Sequence, residues 1–353
     1  MKKTILFMVT NGAGLGHLTR GLAIAKRLRA LDKEYEIVFL TTSVAIEVLR
    51  ESGFMFYYVP TKNLMPNGLN GGAWNEFLKR QLKDIINMHK PAAIVFDGAI
   101  PYAGLLANIN KVRNYKTIWI KRECYKQNVD SLADKEKFFD LTIVPREINE
   151  INVSRGPGKV YTNPIMLLDQ QEALDRETVR EELGIKMDEK LFYVQLGAGL
   201  INDIETTLQM IVDKIVENPK YHVLLGEYII GKSIDIRHPR VKVIRSFPNA
   251  KYFKGLDGAI SAAGYNTVHE LVFFGVPTIF VPNTQTGRDD QVARVQKVED
   301  ARAGTVLIDV TPESIKEKLD YIVSNQRILQ INAKTLIRVN GASIAARYIK
   351  NLI

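Results

Sequence analysis

The stretch GAISAAGYNTVHELVFFGVPTIFVPNTQTGRDDQVAR, Gly258 to Arg294, decides the fold. Residues 258–261 read as a short apolar strand, 262–266 as a small-residue turn, and 267–274 as a helix stopped by Gly275. Residues 278–281 follow as a second buried strand, then a loop and another helix. Open α/β sheets bind ligands at the carboxyl ends of their strands. A helix N-terminus offers unpaired N–H groups and positive potential to an anion. A phosphate near Gly264, Asn266 and Thr267, with a sugar diol near Glu270, would satisfy both. The plainer alternative is that Thr267-x-x-Glu270 is a capping box serving only its own helix.

The pattern Gly264-x-Asn266-Thr267-x-x-Glu270, then Gly275-Val276-Pro277, Val281-Pro282 and Asp290-Gln291, resembles the donor-binding core of inverting GT-B glycosyltransferases. It is most similar to glycosyltransferase family 28, the MurG-like enzymes, and to the UDP-glycosyltransferases. The resemblance implies a GT-B fold, in which two Rossmann-like doubly wound α/β domains face each other across a cleft. It also implies a nucleotide-sugar donor, with Glu270 on the ribose and Asp290 and Gln291 on the sugar hydroxyls. Many UDP-glycosyltransferases carry a histidine two residues before the turn glycine. Here Ala262 stands there, which points toward the MurG-like group.

Working outward, the 353 residues suggest two domains. Hydrophobic and charged content, 46% and 25%, is that of an ordinary globular chain. A single cysteine, Cys124, excludes an internal disulfide and points to the cytoplasm. The apolar run after Met1 is short and enters a glycine loop, so it reads as a first strand and not a signal peptide. No apolar run approaches the roughly 18–20 residues that span a bilayer. The net charge of +9 is compatible with phosphates, nucleic acid or an anionic membrane surface, and equally with a plain solvated surface. Without regularly spaced stacking aromatics, no nucleic-acid partner is expected.

In the amino half, residues 4–10 form a strand. The loop Asn11-Gly-Ala-Gly14-Leu-Gly16-His17 follows, then a helix with Leu18, Leu22, Ala25 and Leu28 on one stripe. A dinucleotide site wants a third glycine where His17 stands, and an acid where the second strand ends in Thr41-Thr42. A P-loop is excluded because no Gly-Lys-Ser/Thr follows. Regular βα alternation then argues a parallel sheet. Gly14 and Gly16 would approach the donor, and the long loop 61–73 borders the site. His17 ends the glycine loop above the first strand and Asp97 ends another strand, so both should lie on the carboxyl edge of one sheet. A histidine suits proton removal near neutral pH, and a carboxylate on its other nitrogen would orient it. Alternatively each merely caps a helix. In the UDP-glycosyltransferases the equivalent histidine is the base and an aspartate assists it. MurG-like loops read Gly-Gly-x-Gly-Gly-His, and this loop differs at two glycines.

The expected division is residues 1–162 for the acceptor domain and 163–172 for a linker. Residues 173–330 follow as the nucleotide-sugar domain, and 331–353 as a tail crossing back onto the first domain through Ile344, Tyr348 and Leu352. Gly197-Ala-Gly199 is a second strand-glycine-helix turn, either a pyrophosphate site or an ordinary βα turn. Ile244 lies in a segment resembling the nucleobase-reading backbone of the family. No Asp-x-Asp motif supports a bound metal, and the histidines lack ligand spacing, so no cofactor is expected. Retaining GT-B enzymes often show Glu-x7-Glu; with Glu270 as the second, the first falls on Ala262, which favours inversion.

The reading is an inverting, metal-independent glycosyltransferase that uses a nucleotide sugar, with a UDP-sugar first in line. Its acceptor would be a glycan, lipid-linked or small-molecule hydroxyl, and its place the cytoplasm or the inner membrane face. A non-hydrolysing UDP-sugar epimerase and a non-catalytic GT-B-like partner subunit stay open as alternatives.

Overall fold

Strands buried on both faces read as continuous apolar runs. Lys3–Val9 (β1) is one: Ile5 to Val9 are fully buried. The computed structural model describes residues 2–10, 14–62, 70–109, 113–123, 125–126, 132–148, 156–197, 205–227, 229 and 234–353. Parts of the glycine loop, of the 61–73 loop and of the 197–199 turn, including Gly199, therefore lie outside the described residues, as does Cys124.

The chain first runs β1, Gly16–Leu31 (α1), Tyr35–Thr41 (β2), Glu47–Glu51 (α2), Met55–Tyr58 (β3), Gly71–His89 (α3), Ala93–Asp97 (β4) and Ala103–Ile109 (α4). Lys116–Ile120 (β5), Leu141–Pro145 (β6) and Lys159–Thr162 (β7) complete a seven-stranded sheet in the order β3-β2-β1-β4-β5-β6-β7. The second half runs Arg176–Leu183 (α5), Lys190–Gln195 (β8), Glu205–Val216 (α6), Tyr221–Gly226 (β9), Val241–Ile244 (β10), Gly258–Ala262 (β11), Tyr265–Phe274 (α7) and Thr278–Val281 (β12). Gln291–Asp300 (α8), Thr305–Val306 (β13), Pro312–Ser324 (α9), Gln326–Leu336 (α10) and Ala342–Leu352 (α11) follow. This six-stranded sheet has the order β10-β9-β8-β11-β12-β13, and the ladders of both sheets are parallel.

Each sheet steps outward in both directions from its first strand, the Rossmann order, so each has one switch point where ligands bind. In the first sheet it lies between β1 and β4, above which stand His17 and Asp97. In the second it lies between β8 and β11, beside Gln195 and Gly264.

One apolar core joins the halves. It runs from α1 through Ile165, Met166, Leu167 and Leu168 to Val268 and Leu271 of α7. The segment expected as a linker is thus buried at its start. Asn340 fastens it, donating to the Met166 carbonyl at 2.9 Å and accepting from the Met166 amide at 3.1 Å. Helix α11 does pack on α1, but its seam is Ala342, Ala345, Ala346 and Ile349. Of the expected Ile344, Tyr348 and Leu352, the last two pack half-buried against the same core, beside this fully buried seam. Small alanines let two helix backbones approach, and the longer side chains fall to the rim. Among the described residues no helix is long and apolar enough to cross a membrane.

Candidate active site

Between the carboxyl edges of the two sheets lies a cleft of about 480 Å3 lined by both halves, a size that accommodates a small-molecule ligand. Gly14, Gly16 and His17 line it from the first half, and Gly264, Asn266, Thr267, Glu270 and Gln291 from the second.

His17 is the second residue of α1. That helix crosses β1 so closely at Gly21 that a Cβ there would stand 2.5 Å from Val9 Cγ1. The close crossing seats the histidine over the strand ends. Its Nδ1 lies 2.6 Å from Oδ1 of Asp97, whose side chain is fully buried at the end of β4. Arg20, one turn along α1, forks onto the same carboxylate: Nη2 donates to Oδ1 at 2.6 Å and Nε to Oδ2 at 3.1 Å. Burial alone would raise the Asp97 pKa, but Arg20 and His17 outweigh it and hold the group below the usual carboxylate range. Burial lowers the His17 pKa. Asp97 pulls it back up, while Arg20 and Arg122 add to the lowering. The balance lowers the His17 pKa from its ordinary value, which favours the neutral imidazole that can accept a proton.

Across the cleft, α7 begins two residues earlier than its sequence suggested. Its N-cap is Gly264, which has no side chain to cap with. Thr267 and Glu270 consequently sit inside the helix, and the capping-box reading does not hold. The amides of the first turn face the cleft without a side-chain cap. At the far end Gly275, with φ +71°, closes the helix in the left-handed conformation. Burial pushes the Glu270 carboxyl up to about 7, against a hydrogen bond from the Leu167 backbone. The Asn266 Nδ2 reaches across to the Gly16 carbonyl at 3.4 Å. The amide oxygens of Asn266 and Asn249, both cleft residues, are buried with no protein hydrogen-bond partner among the described residues. Two hydrogen-bond donors of a ligand would satisfy them.

Three expected contacts fall elsewhere. Asp290 is the N-cap of α8, its carboxylate taken by the Ala293 amide at 3.0 Å, and it does not line the cleft. Its neighbour Asp289 does. Ile244 ends β10, and its carbonyl accepts the Glu227 amide at 2.8 Å. The cleft wall begins two residues later, at Ser246, and runs to Asn249. Gly197, with φ +108°, lies outside the lining, which on that side is Gln195.

An ion network at the base of the cleft was not legible in the sequence. Arg294 of α8, fully buried, donates to Glu147 Oε2 at 2.6 Å, to the Ala263 carbonyl at 2.8 Å and to both oxygens of Asp289. Arg122, following β5, bridges Asp289 and Glu147 from the first half. The two guanidiniums hold Asp289 far below the ordinary carboxylate range despite burial. Tyr265, the first residue of α7, lies against Arg20, Arg122 and Arg294, its ring centroid 5.3, 5.0 and 6.0 Å from their guanidinium carbons. Arg20 did carry a local signal, being three residues from His17 on one helix face. Glu147 and Arg294 carried none. His269 is a core histidine, driven down to about 3 by burial and by Arg294. No cluster of potential metal ligands occurs among the described residues.

Known proteins match this arrangement. Residues 230–348 match the glycosyltransferase family 28 C-terminal domain. The UDP-N-acetylglucosamine–N-acetylmuramyl-(pentapeptide) pyrophosphoryl-undecaprenol N-acetylglucosamine transferase of Rickettsia bellii is 32% identical, with all of both chains covered. Its counterpart in Acetivibrio thermocellus is 22% identical, over 98% of each chain. In fold, the chain is similar to the spinosyn forosaminyltransferase SpnP, with a TM-score of 0.73 at 16% identity and full coverage of both chains. MurG of Acinetobacter baumannii superposes with a TM-score of 0.64 at 15% identity, over 99% of each chain. The epimerase and partner-subunit alternatives are not favoured by these likenesses. With two facing Rossmann-like sheets, a shared cleft and a full-length relative at this identity, the chain belongs to glycosyltransferase family 28 and is a GT-B glycosyltransferase.

Proposed function

We propose that the enzyme transfers a sugar, with inversion and without a metal, from a UDP-sugar to a hydroxyl of a lipid-linked glycan at the cytoplasmic face of the membrane. UDP-N-acetylglucosamine, named in the relatives' activity, is the first donor to test. The observation that carries the reading is the opposition of the His17–Asp97 pair to the uncapped start of α7. His17 would take the acceptor's proton from one side of the anomeric carbon. The leaving diphosphate would depart on the other, its charge met by the α7 amides and helix dipole. Asn266 and Gln291 would receive sugar hydroxyls, Glu270 the ribose diol, and Ser246 to Asn249 the base. The net charge of +9 suits an anionic membrane surface.

Transfer is tested by incubating the protein with UDP-N-acetylglucosamine and a pyrophosphoryl-polyprenol-linked muramyl acceptor. A mass gain of one N-acetylhexosamine on the acceptor supports the proposal. Nucleotide release with an unmodified acceptor argues against it.

Two further outcomes are expected. A carboxylate accepts hydrogen bonds from a diol better when ionised, and Glu270 ionises only as pH rises through about 7. Affinity for the UDP-sugar, whose diphosphate does not titrate there, should therefore increase through that pH, as read by calorimetry. Glu270→Gln should flatten the dependence. The same raised pKa means the folded state holds its proton over a range where the unfolded chain has lost it, so stability from this group falls as pH rises toward 7. Glu270→Gln should accordingly raise the thermal midpoint above pH 7 while weakening donor binding. At Gly264, φ is −64° and an added Cβ meets nothing within 4 Å, so a side chain there would project into the cleft. Gly264→Val should fold normally and raise the donor KM by roughly tenfold, about 1.4 kcal/mol. An unchanged KM would remove the diphosphate from this turn.

A further inference from the structure

We infer that Arg20 is a positioning residue that fixes His17 as the neutral, Nδ1-protonated imidazole. The inference rests on the reading of His17 as the base and names what sets its protonation.

A buried carboxylate in contact with a histidine ordinarily draws a proton onto the ring and makes an ion pair. The more of such a histidine is protonated at a given pH, the less of it can act as a base. Here the Asp97 charge is met by a permanent cation. Arg20 is 2% exposed and reaches both carboxylate oxygens, and its Nη2 also lies 2.9 Å from His17 Nδ1. An ionised carboxylate only accepts, so the 2.6 Å contact between Nδ1 and Asp97 Oδ1 requires the proton on Nδ1, and the Arg20 Nη2, a donor, then serves Asp97 and not the ring. The arrangement that fits all three groups has Nδ1–H donating to Asp97 Oδ1, which puts the ring's lone pair on Nε2. A second positive charge on the ring would stand against the guanidinium at that distance. Arg20 thus turns what would be an ion pair into an oriented, neutral base.

The charged and titratable groups around the pair come from every neighbouring element. They are Asp97 from β4, Arg122 and Tyr125 from the segment after β5, and Tyr265 from α7. Among the described residues Arg20 is the cation bonded to the Asp97 carboxylate, and Arg122 adds a weaker positive field at His17. Tyr265 lies against the Arg20 guanidinium from the donor half, 5.3 Å from ring centroid to carbon, and so buttresses the fork.

Nitrogen NMR of the whole chain labelled with 15N-histidine reads the tautomer and titration of His17 without any substrate. In the wild type, His17 should be the neutral Nδ1–H tautomer at pH 7; an imidazolium there overturns the inference, whatever the variants do. In Arg20→Gln the His17 titration midpoint should move to higher pH. The acid limb of kcat/KM should move with it, with kcat at neutral pH falling about tenfold or more and donor KM unchanged. Arg20→Lys, which keeps the charge, should restore most of the wild-type midpoint. A lower melting temperature with an unmoved His17 midpoint would make Arg20 merely structural and overturn the inference. If His17→Ala instead retains transfer, the base assignment fails, while the NMR titration still decides what Arg20 does.

Discussion

His17→Ala is expected to lower kcat for sugar transfer by about 100- to 10,000-fold, the range in which a positioned general base contributes. Donor affinity should stay near that of the wild type, because the groups assigned to the nucleotide sit mostly on the other sheet. The fold should survive, since the His17 side chain is 25% exposed at the cleft and its loss leaves Asp97 still paired with Arg20. Asp97→Asn should give a comparable loss, because an amide can present the wrong partner to Nδ1 and turn the ring. Single-turnover transfer with the donor held saturating separates the two constants. If His17→Ala transfers at wild-type kcat, proton removal belongs to another group.

Arg294→Met should destabilise the protein by about 3–5 kcal/mol, the cost of breaking a buried ion pair from one side. Glu147, whose side chain is fully buried, would lose its 2.6 Å partner and keep the longer contact to Arg122, and Asp289 would lose its Arg294 contacts and keep Arg122. Methionine fills a similar volume, so the loss reports on charge more than on a cavity. The thermal midpoint should fall by several degrees in calorimetry. Arg294 also holds the Ala263 carbonyl, the residue just before the α7 N-cap, so the donor KM should rise in the same variant. A midpoint within about one degree of the wild type would show that the network contributes little.

What could be read from the sequence was what repeats locally. Periodicity and glycine turns placed the strands and helices in order, because a buried parallel strand or a helix stripe is encoded within a few neighbouring residues. The His17–Asp97 pairing was legible for the same reason: His17 closes the loop that follows one strand, Asp97 ends another, and a parallel sheet aligns those ends. The start of α7 was misjudged because Tyr265 and Asn266 look like turn residues, whereas Tyr265 is buried inside the first helical turn against three arginines. Asp290 was assigned to the sugar because Asp290-Gln291 matches the pair that contacts the donor sugar in the resembling family. That match does not say which of the two adjacent aspartates faces the cleft. The one directly ahead of the helix caps it, and the other is claimed by Arg122, separated from it by 167 positions in the chain. Contacts of that span leave no local pattern, which is why the whole network around Glu147 and Arg294 was invisible.

The anomeric configuration of the product tests the central claim most directly. Wild-type protein would be given an α-linked UDP-sugar and its acceptor, and the new linkage read from the proton coupling of the anomeric centre. A β-linked product, absent with His17→Ala, is what an opposed base and leaving-group site produce. An α-linked product, or an isomerised nucleotide sugar with no transfer, would contradict the assignment of His17 and α7 to opposite sides of one inverting displacement.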